Sequence, residues 1–113
     1  MNPKNNNKKL KIVISVGDES GVGPETILKA TAEHYGIPEE KLKQRRRGPW
    51  KISWPRLLAM SLAYEDNTGM TVGAAFNRHY TAVVYAAKRV EDLCETDAAL
   101  AREREALKCR LMN

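Results

Sequence analysis

The sequence predicts a small all-α domain of several helices, preceded by a short arm. Two patterns and one absence predict it. From Pro24 onward, apolar residues recur at spacings of three and four through most of the chain, the period of a helix with one buried face. Aromatic residues make up only 6% of the chain, and Ala, Leu, Lys and Arg dominate its second half, a composition that favours helix over sheet. The one convincing β-branched run, Lys11 to Val16, has no second strand to pair with. At 113 residues the chain supports one domain with one modest core.

Residues 1–23 read as an N-terminal arm. The first ten are Asn- and Lys-rich, which favours flexibility, and KIVISV after them reads as a short lone strand. GDESGVGPE follows, so strand, glycine-rich loop and helix come in the order that cradles phosphates on backbone N–H groups. The Gly-Lys-Ser/Thr of a P-loop is missing, however, and Gly17, Gly21 and Gly23 lack dinucleotide spacing. Residues 11–29 locally resemble the opening of the 4-hydroxythreonine phosphate dehydrogenase family, over less than a fifth of the chain. We expect no catalysis from it.

The helical domain spans 24–113. A first helix runs from Pro24, suited to a first turn, to Tyr35, and Gly36 stops it by adopting a left-handed conformation. A short helix from about Pro38 to Lys43 turns Leu42 inward. Between Lys41 and Arg56 there are seven positive charges and no acid, with Gly48-Pro49 and two tryptophans among them. This stretch reads as a basic loop able to follow a phosphate backbone or enter a minor groove, with Trp50 and Trp54 packing it onto the core. A third helix is expected from Ser53 or Trp54, with Pro55 near N1. Leu57, Leu58, Met60, Leu62 and Ala63 make it apolar nearly all round, which marks the central core helix.

Thr68 to Leu93 has the outline of a helix-turn-helix. Thr68 is placed to cap a helix ending near Phe76, within which Gly73 permits close approach of a neighbour. Asn77-Arg78-His79 breaks the pattern, and Val83, Val84, Ala87, Val90 and Leu93 resume it. Thr96 is expected to cap a last helix to about Leu111, whose Leu100, Leu107 and Leu111 cross the core. A coiled-coil role for that helix is the alternative.

Net charge is +5 and the pI near 9.4, which suits a polyanionic partner. No apolar run approaches the ~20 residues of a bilayer span, and no secretion signal is evident. Cys94 and Cys109, and His34 and His79, stand outside any metal-ligand spacing. No metal or cofactor is expected, and a cytoplasmic, nucleoid-associated location is.

From about Glu25 to Leu93, and more loosely to Leu111, the chain resembles the C-terminal DNA-binding domain of the bacterial replication initiator DnaA. The matching residues are Ile27, Ala32-Glu33, Tyr35-Gly36-Ile37 and Leu42, then Ile52 with Pro55-Arg56, Ala59-Met60, Leu62-Ala63, Thr68, Val72-Gly73, Phe76, Arg78, Thr81, Val83 and Ala86. The resemblance implies a Trp-repressor type of helix-turn-helix. Its recognition helix enters the major groove of double-stranded DNA, its basic loop reaches the neighbouring minor groove, and the target is a short AT-containing box. It also implies base reading by Arg78, His79, Tyr80, Thr81, Ala82 and Tyr85. Backbone or minor-groove contacts fall to Arg45, Arg46, Arg47, Lys51, Arg56, Lys88 and Arg89.

The signature turn departs from the family. Gly-Gly-Arg-Asp-His-Thr-Thr-Val is usual, whereas Asn77 to Val83 is one residue shorter, with His79 and Tyr80 at the Asp and His positions and Ala82 for the second Thr. An altered recognition code is therefore expected. The 113 residues hold no ATPase module, so the expected activity is site-specific DNA binding at an origin or regulatory site without ATP-driven assembly. A replication or regulatory protein is a further expected partner, and the oligomeric state stays open. The competing reading is a protein–protein module on the same fold that has lost its box, favoured should a tryptophan ring prove exposed.

Overall fold

A computed structural model describes residues 23–44, 46 and 48–112. The expected arm up to residue 22, its strand over 11–16, and Arg45 and Arg47 lie outside the described residues. Among the described residues there are six helices and no strand: α1 (Pro24–Tyr35), α2 (Glu39–Lys43), α3 (Trp50–Tyr64), α4 (Gly69–Phe76), α5 (Tyr80–Thr96) and α6 (Ala98–Met112).

The ends of α1 are local in origin. Pro24 supplies a helical φ at the first position, and Gly36 closes the helix at φ 66°. Its N–H reaches the Glu33 carbonyl at 3.3 Å and that of Ile37 reaches Ala32 at 2.9 Å, satisfying carbonyls that the helix leaves open. At the start of α4, Thr68 caps as expected, its hydroxyl oxygen accepting from the Thr71 N–H at 3.2 Å.

Two boundaries differ from expectation. Helix α3 begins at Trp50 behind an N-cap Pro49, so Trp50 to Arg56 is helix and the loop is only the short connection before it. Pro55 lies inside the helix, where its missing N–H forgoes a bond to the carbonyl of exposed Lys51, which water can serve. Thr96 ends α5 instead of starting α6, its hydroxyl donating back to the Asp92 and Leu93 carbonyls. Asp97 makes the cap, its carboxylate accepting from the N–H groups of Ala99 at 2.9 Å and Leu100 at 3.3 Å.

Helix α3 is the centre of the core, as its all-round apolar character required. Trp54, Leu58, Ala59, Met60, Leu62 and Ala63 are all buried, and they meet Leu28 of α1, Leu42 of α2, Phe76 of α4, Val83 of α5 and Leu107 of α6. Helix α6 crosses the bundle and is tied by a polar link as well as by Leu107. The Glu103 carboxylate accepts from the Tyr35 hydroxyl at 2.8 Å and from the Trp54 indole N–H at 3.0 Å, joining α1, α3 and α6. Burial first, and then the bond to Glu103, push the Tyr35 phenol above its ordinary value. A raised folded-state value means the contribution is whole below the unfolded value of about 10 and is lost as pH rises beyond it. Chemical denaturation between pH 8 and 11 should therefore show a smaller alkaline loss of stability in Tyr35→Phe than in the wild type. Identical slopes would contradict this.

Candidate nucleic-acid interface

Helix α4 ends because Asn77 takes the left-handed conformation, φ 58°, the one non-glycine residue with positive φ among those described. The Arg78 N–H then turns back to the Gly73 carbonyl at 2.7 Å. A Cβ on Gly73 would lie 2.5 Å from the Arg78 carbonyl oxygen, so only glycine allows the chain to fold back this tightly. His79 is extended and starts α5 as its N-cap. Its Nδ1 accepts the Thr81 N–H at 3.3 Å and lies 2.9 Å from the Thr81 hydroxyl. Accepting at Nδ1 places the ring proton on Nε2.

From this start α5 splits into two faces. Val83, Ala86 and Val90 are fully buried against the bundle. Tyr80, Thr81, Val84, Tyr85, Lys88 and Arg89 are exposed, and Ala82 is half-buried at the border with α3. Val84, expected in the apolar stripe, is 44% exposed. Val83, Ala86 and Val90 already complete that stripe, and a residue one step on from Val83 is rotated by about 100° out of it. Val84 is thus a surface residue that periodicity alone assigned inward.

The basic segment lies beside this helix and is fastened to it. The Arg78 guanidinium donates to the carbonyl of Gln44 and, at 3.4 Å, to that of Arg46, coupling the turn to the loop. Arg56, expected at the DNA backbone, is instead 5% exposed. Its Nε donates to the Leu42 carbonyl at 3.1 Å and its Nη2 to the Lys41 carbonyl at 3.0 Å. Those carbonyls belong to the last turn of α2, where a helix has no N–H groups left to offer. Burial, and then the like charge of Arg78, bring the Arg56 guanidinium down to about 10.

Between α3 and α5 lies a groove of about 320 Å³, floored by Leu57, Met60 and Ala82 and bordered by Trp50, Tyr85, Arg78 and Arg89. The tryptophans divide their roles: Trp54 is buried, while Trp50 stacks on it at 5.9 Å and leaves 51% of its surface exposed. Arg46 and Lys51 are exposed on the same side of the sequence run, and no acid occurs from Lys41 to Tyr64 or from Tyr80 to Val90. Among the described residues no group of three or more His, Cys, Asp or Glu could hold a metal ion, and no helix is long and apolar enough to cross a membrane.

Comparison with known proteins agrees with this geometry. The family described as the bacterial dnaA protein helix-turn-helix matches residues 24–90, which take in α1 to α4 and the exposed part of α5. The chain is similar to the chromosomal replication initiator protein DnaA of Caulobacter vibrioides, at 36% identity over 96 residues, covering 82% of this chain and 19% of that protein. It is also similar to the DnaA proteins of Roseiflexus castenholzii, at 36% over 95 residues (81% of this chain, 20% of the relative), and Enterococcus faecalis, at 31% over 102 residues (88% and 23%). The chain thus spans about a fifth of the length of these relatives. With a glycine-locked turn, a solvent-facing second helix and a family match over most of its length, the chain belongs to the DnaA helix-turn-helix family.

Proposed function

We propose that this chain binds double-stranded DNA with sequence preference, laying the exposed start of α5 in the major groove and the Gln44–Pro49 segment along the adjoining backbone or minor groove. The observation that carries this reading is the juxtaposition at the turn. Arg78 holds an acid-free basic loop directly against the N-terminus of an exposed helix, so a reading element and a phosphate-binding element move as one body. In this reading Tyr80, Thr81, Val84 and Tyr85 face base edges. Arg46, Lys51, Lys88 and Arg89 meet phosphates, with Arg45 and Arg47 beside them in sequence. Arg56, Arg78 and His79 act mainly by positioning, because their polar groups serve protein carbonyls and a helix cap. Origin or regulatory sites are the targets that fit membership of this family, with a code altered at His79, Tyr80 and Ala82.

Selection from random duplexes, followed by titration of the winning sequence at several salt concentrations, tests the reading. One preferred sequence should emerge, with log K falling linearly in log salt. Lys88→Ala should reduce that slope by about 0.9 and weaken all sequences alike. Equal, weak binding to every duplex would remove the sequence preference, and no binding to any would remove the function.

A further inference from the structure

We infer that the groove between α3 and α5 is a binding site for an unstacked nucleotide, whose base lies against Trp50 and Tyr85 and whose phosphate meets Arg89. A base would be held there by its face. This goes beyond the duplex reading above, because in a duplex the faces of each base are covered by its stacked neighbours.

The groove is built from one strip of each helix. Ala82, Tyr85 and Arg89 follow one another at four and three residues along α5, and Trp50, Leu57 and Met60 share a face of α3. Its volume of about 320 Å³ lies at the lower end of small-ligand sites, roughly 300–1,000 Å³, a size that suits a single nucleotide.

The walls offer stacking surfaces. Trp54 is held in place by its indole N–H bond to Glu103 at 3.0 Å, and Trp50 stacks on it with the ring planes 22° apart. One face of Trp50 is thus covered, while 51% of the residue stays exposed where it lines the groove. Tyr85, also exposed, stands on the α5 side. A further ring entering the groove would continue the tryptophan stack, and any base serves, since every base has a π-face.

The charge calls for an anion on that ring. Arg56, Arg78 and Arg89 line the groove, and no Asp or Glu is among its described lining residues. Arg56 and Arg78 donate to carbonyls of α2 and the basic loop, so they serve the groove by charge. Burial and then the like charge of Arg78 bring the Arg56 guanidinium down to about 10, so this end of the groove gains from a negative neighbour. Arg89 is exposed at the rim, where its planar fork matches a phosphate. A neutral aromatic molecule lacks the charge for this site, inorganic phosphate lacks the ring, and a nucleotide carries both.

The test measures, at fixed salt, the anisotropy of end-labelled strands of about ten nucleotides, one of thymidine and one abasic with the same phosphates. The wild-type chain should bind the thymidine strand about tenfold more tightly than the abasic one. Trp50→Ala should remove most of that advantage while still binding the abasic strand, and Trp50→Phe should keep it. Titration of the tryptophan emission with free thymidine monophosphate, beside inorganic phosphate, separates the two sources of the ligand. Saturable quenching by the nucleotide alone shows that a free nucleotide suffices. Quenching by the thymidine strand without quenching by the nucleotide assigns the site to unpaired DNA. Equal affinity for the two strands, binding of neither, or an advantage that survives in Trp50→Ala overturns the inference. The duplex reading is decided separately, by the selection from random duplexes. The strand comparison uses the wild-type chain, so it holds even should Trp50→Ala fail to fold.

Discussion

Gly73→Ala should unfold the turn of the helix-turn-helix more than any exposed substitution in the chain. The added Cβ would come within 2.5 Å of the Arg78 carbonyl oxygen, a backbone atom that cannot rotate aside as a side chain would. The two residues are also bound together, since the Arg78 N–H donates to the Gly73 carbonyl at 2.7 Å. Relief requires Asn77 and Arg78 to move away from α4, which loosens that bond and swings the start of α5. Overpacking of this kind costs about 1–3 kcal/mol. We expect a net loss near ~2 kcal/mol even after alanine's gain in helix propensity. Gly69→Ala is the control. Its Cβ would meet Tyr80 and Tyr64 at 3.5 and 3.6 Å, ordinary contact distances, so stability should be unchanged or slightly higher. Urea denaturation of both variants checks the pair, and equal losses at Gly69 and Gly73 would show that the turn geometry is not the cause. DNA affinity should drop more than tenfold in Gly73→Ala at temperatures where the variant remains folded.

The positions that were legible in the sequence are those whose conformation is decided within a few residues. Gly36 and Thr68 could be assigned because a left-handed stop and a hydroxyl cap are satisfied by their own neighbours. Gly73 was legible in kind, as a glycine of close approach, but its partner, the Arg78 carbonyl, emerges only from the turn itself. The start of α3 was misplaced because two prolines competed for the same rule. Pro55 suits a first turn, yet Pro49 takes the cap and the tryptophans continue the helix between them. Thr96 and Asp97 are both capping residues in adjacent positions. The choice fell to Asp97 because α5 runs one turn further and turns the Thr96 hydroxyl back onto its own carbonyls.

The candidate site was legible as a region and less so residue by residue. A run of like charges looks uniform in sequence, and nothing local distinguishes an arginine that faces solvent from one drawn inside by carbonyls of another helix. Lys51 and Arg46 stayed outside, whereas Arg56 sits opposite the end of α2 and was taken in. His79 likewise carries a donor and an acceptor that suit a base edge, but an extended residue one step before a helix is also where an N-cap belongs. Trp50 and Trp54 share a helix face, and only the outer ring of the stack remains in solvent. That exposed ring was the feature linked to a protein–protein module. It borders the same groove as Arg78 and Arg89, so it belongs to the cationic surface and gives no independent support to a different partner.

Arg56→Ala separates these two kinds of arginine, and its effect should fall on stability. The side chain closes the C-terminal end of a five-residue helix that is too short to persist alone, and it does so with two hydrogen bonds from a charged donor. Bonds to charged groups contribute roughly 1.5–3 kcal/mol each, and the unfavourable burial of the charge beside Arg78 offsets part of that sum. A loss of about 2–3 kcal/mol is the expected balance. Arg56→Lys should recover little of it, because one ammonium cannot reproduce the planar fork that spans the Leu42 and Lys41 carbonyls. Loosening α2 also frees the Gln44 end of the basic loop, so DNA affinity should weaken through disorder of the loop. The salt slope separates the causes. If Arg56 were a phosphate contact, its removal would lower the slope by about 0.9, as expected for Lys88. For a positioning residue, thermal stability falls while the slope of the folded variant changes by well under half of that.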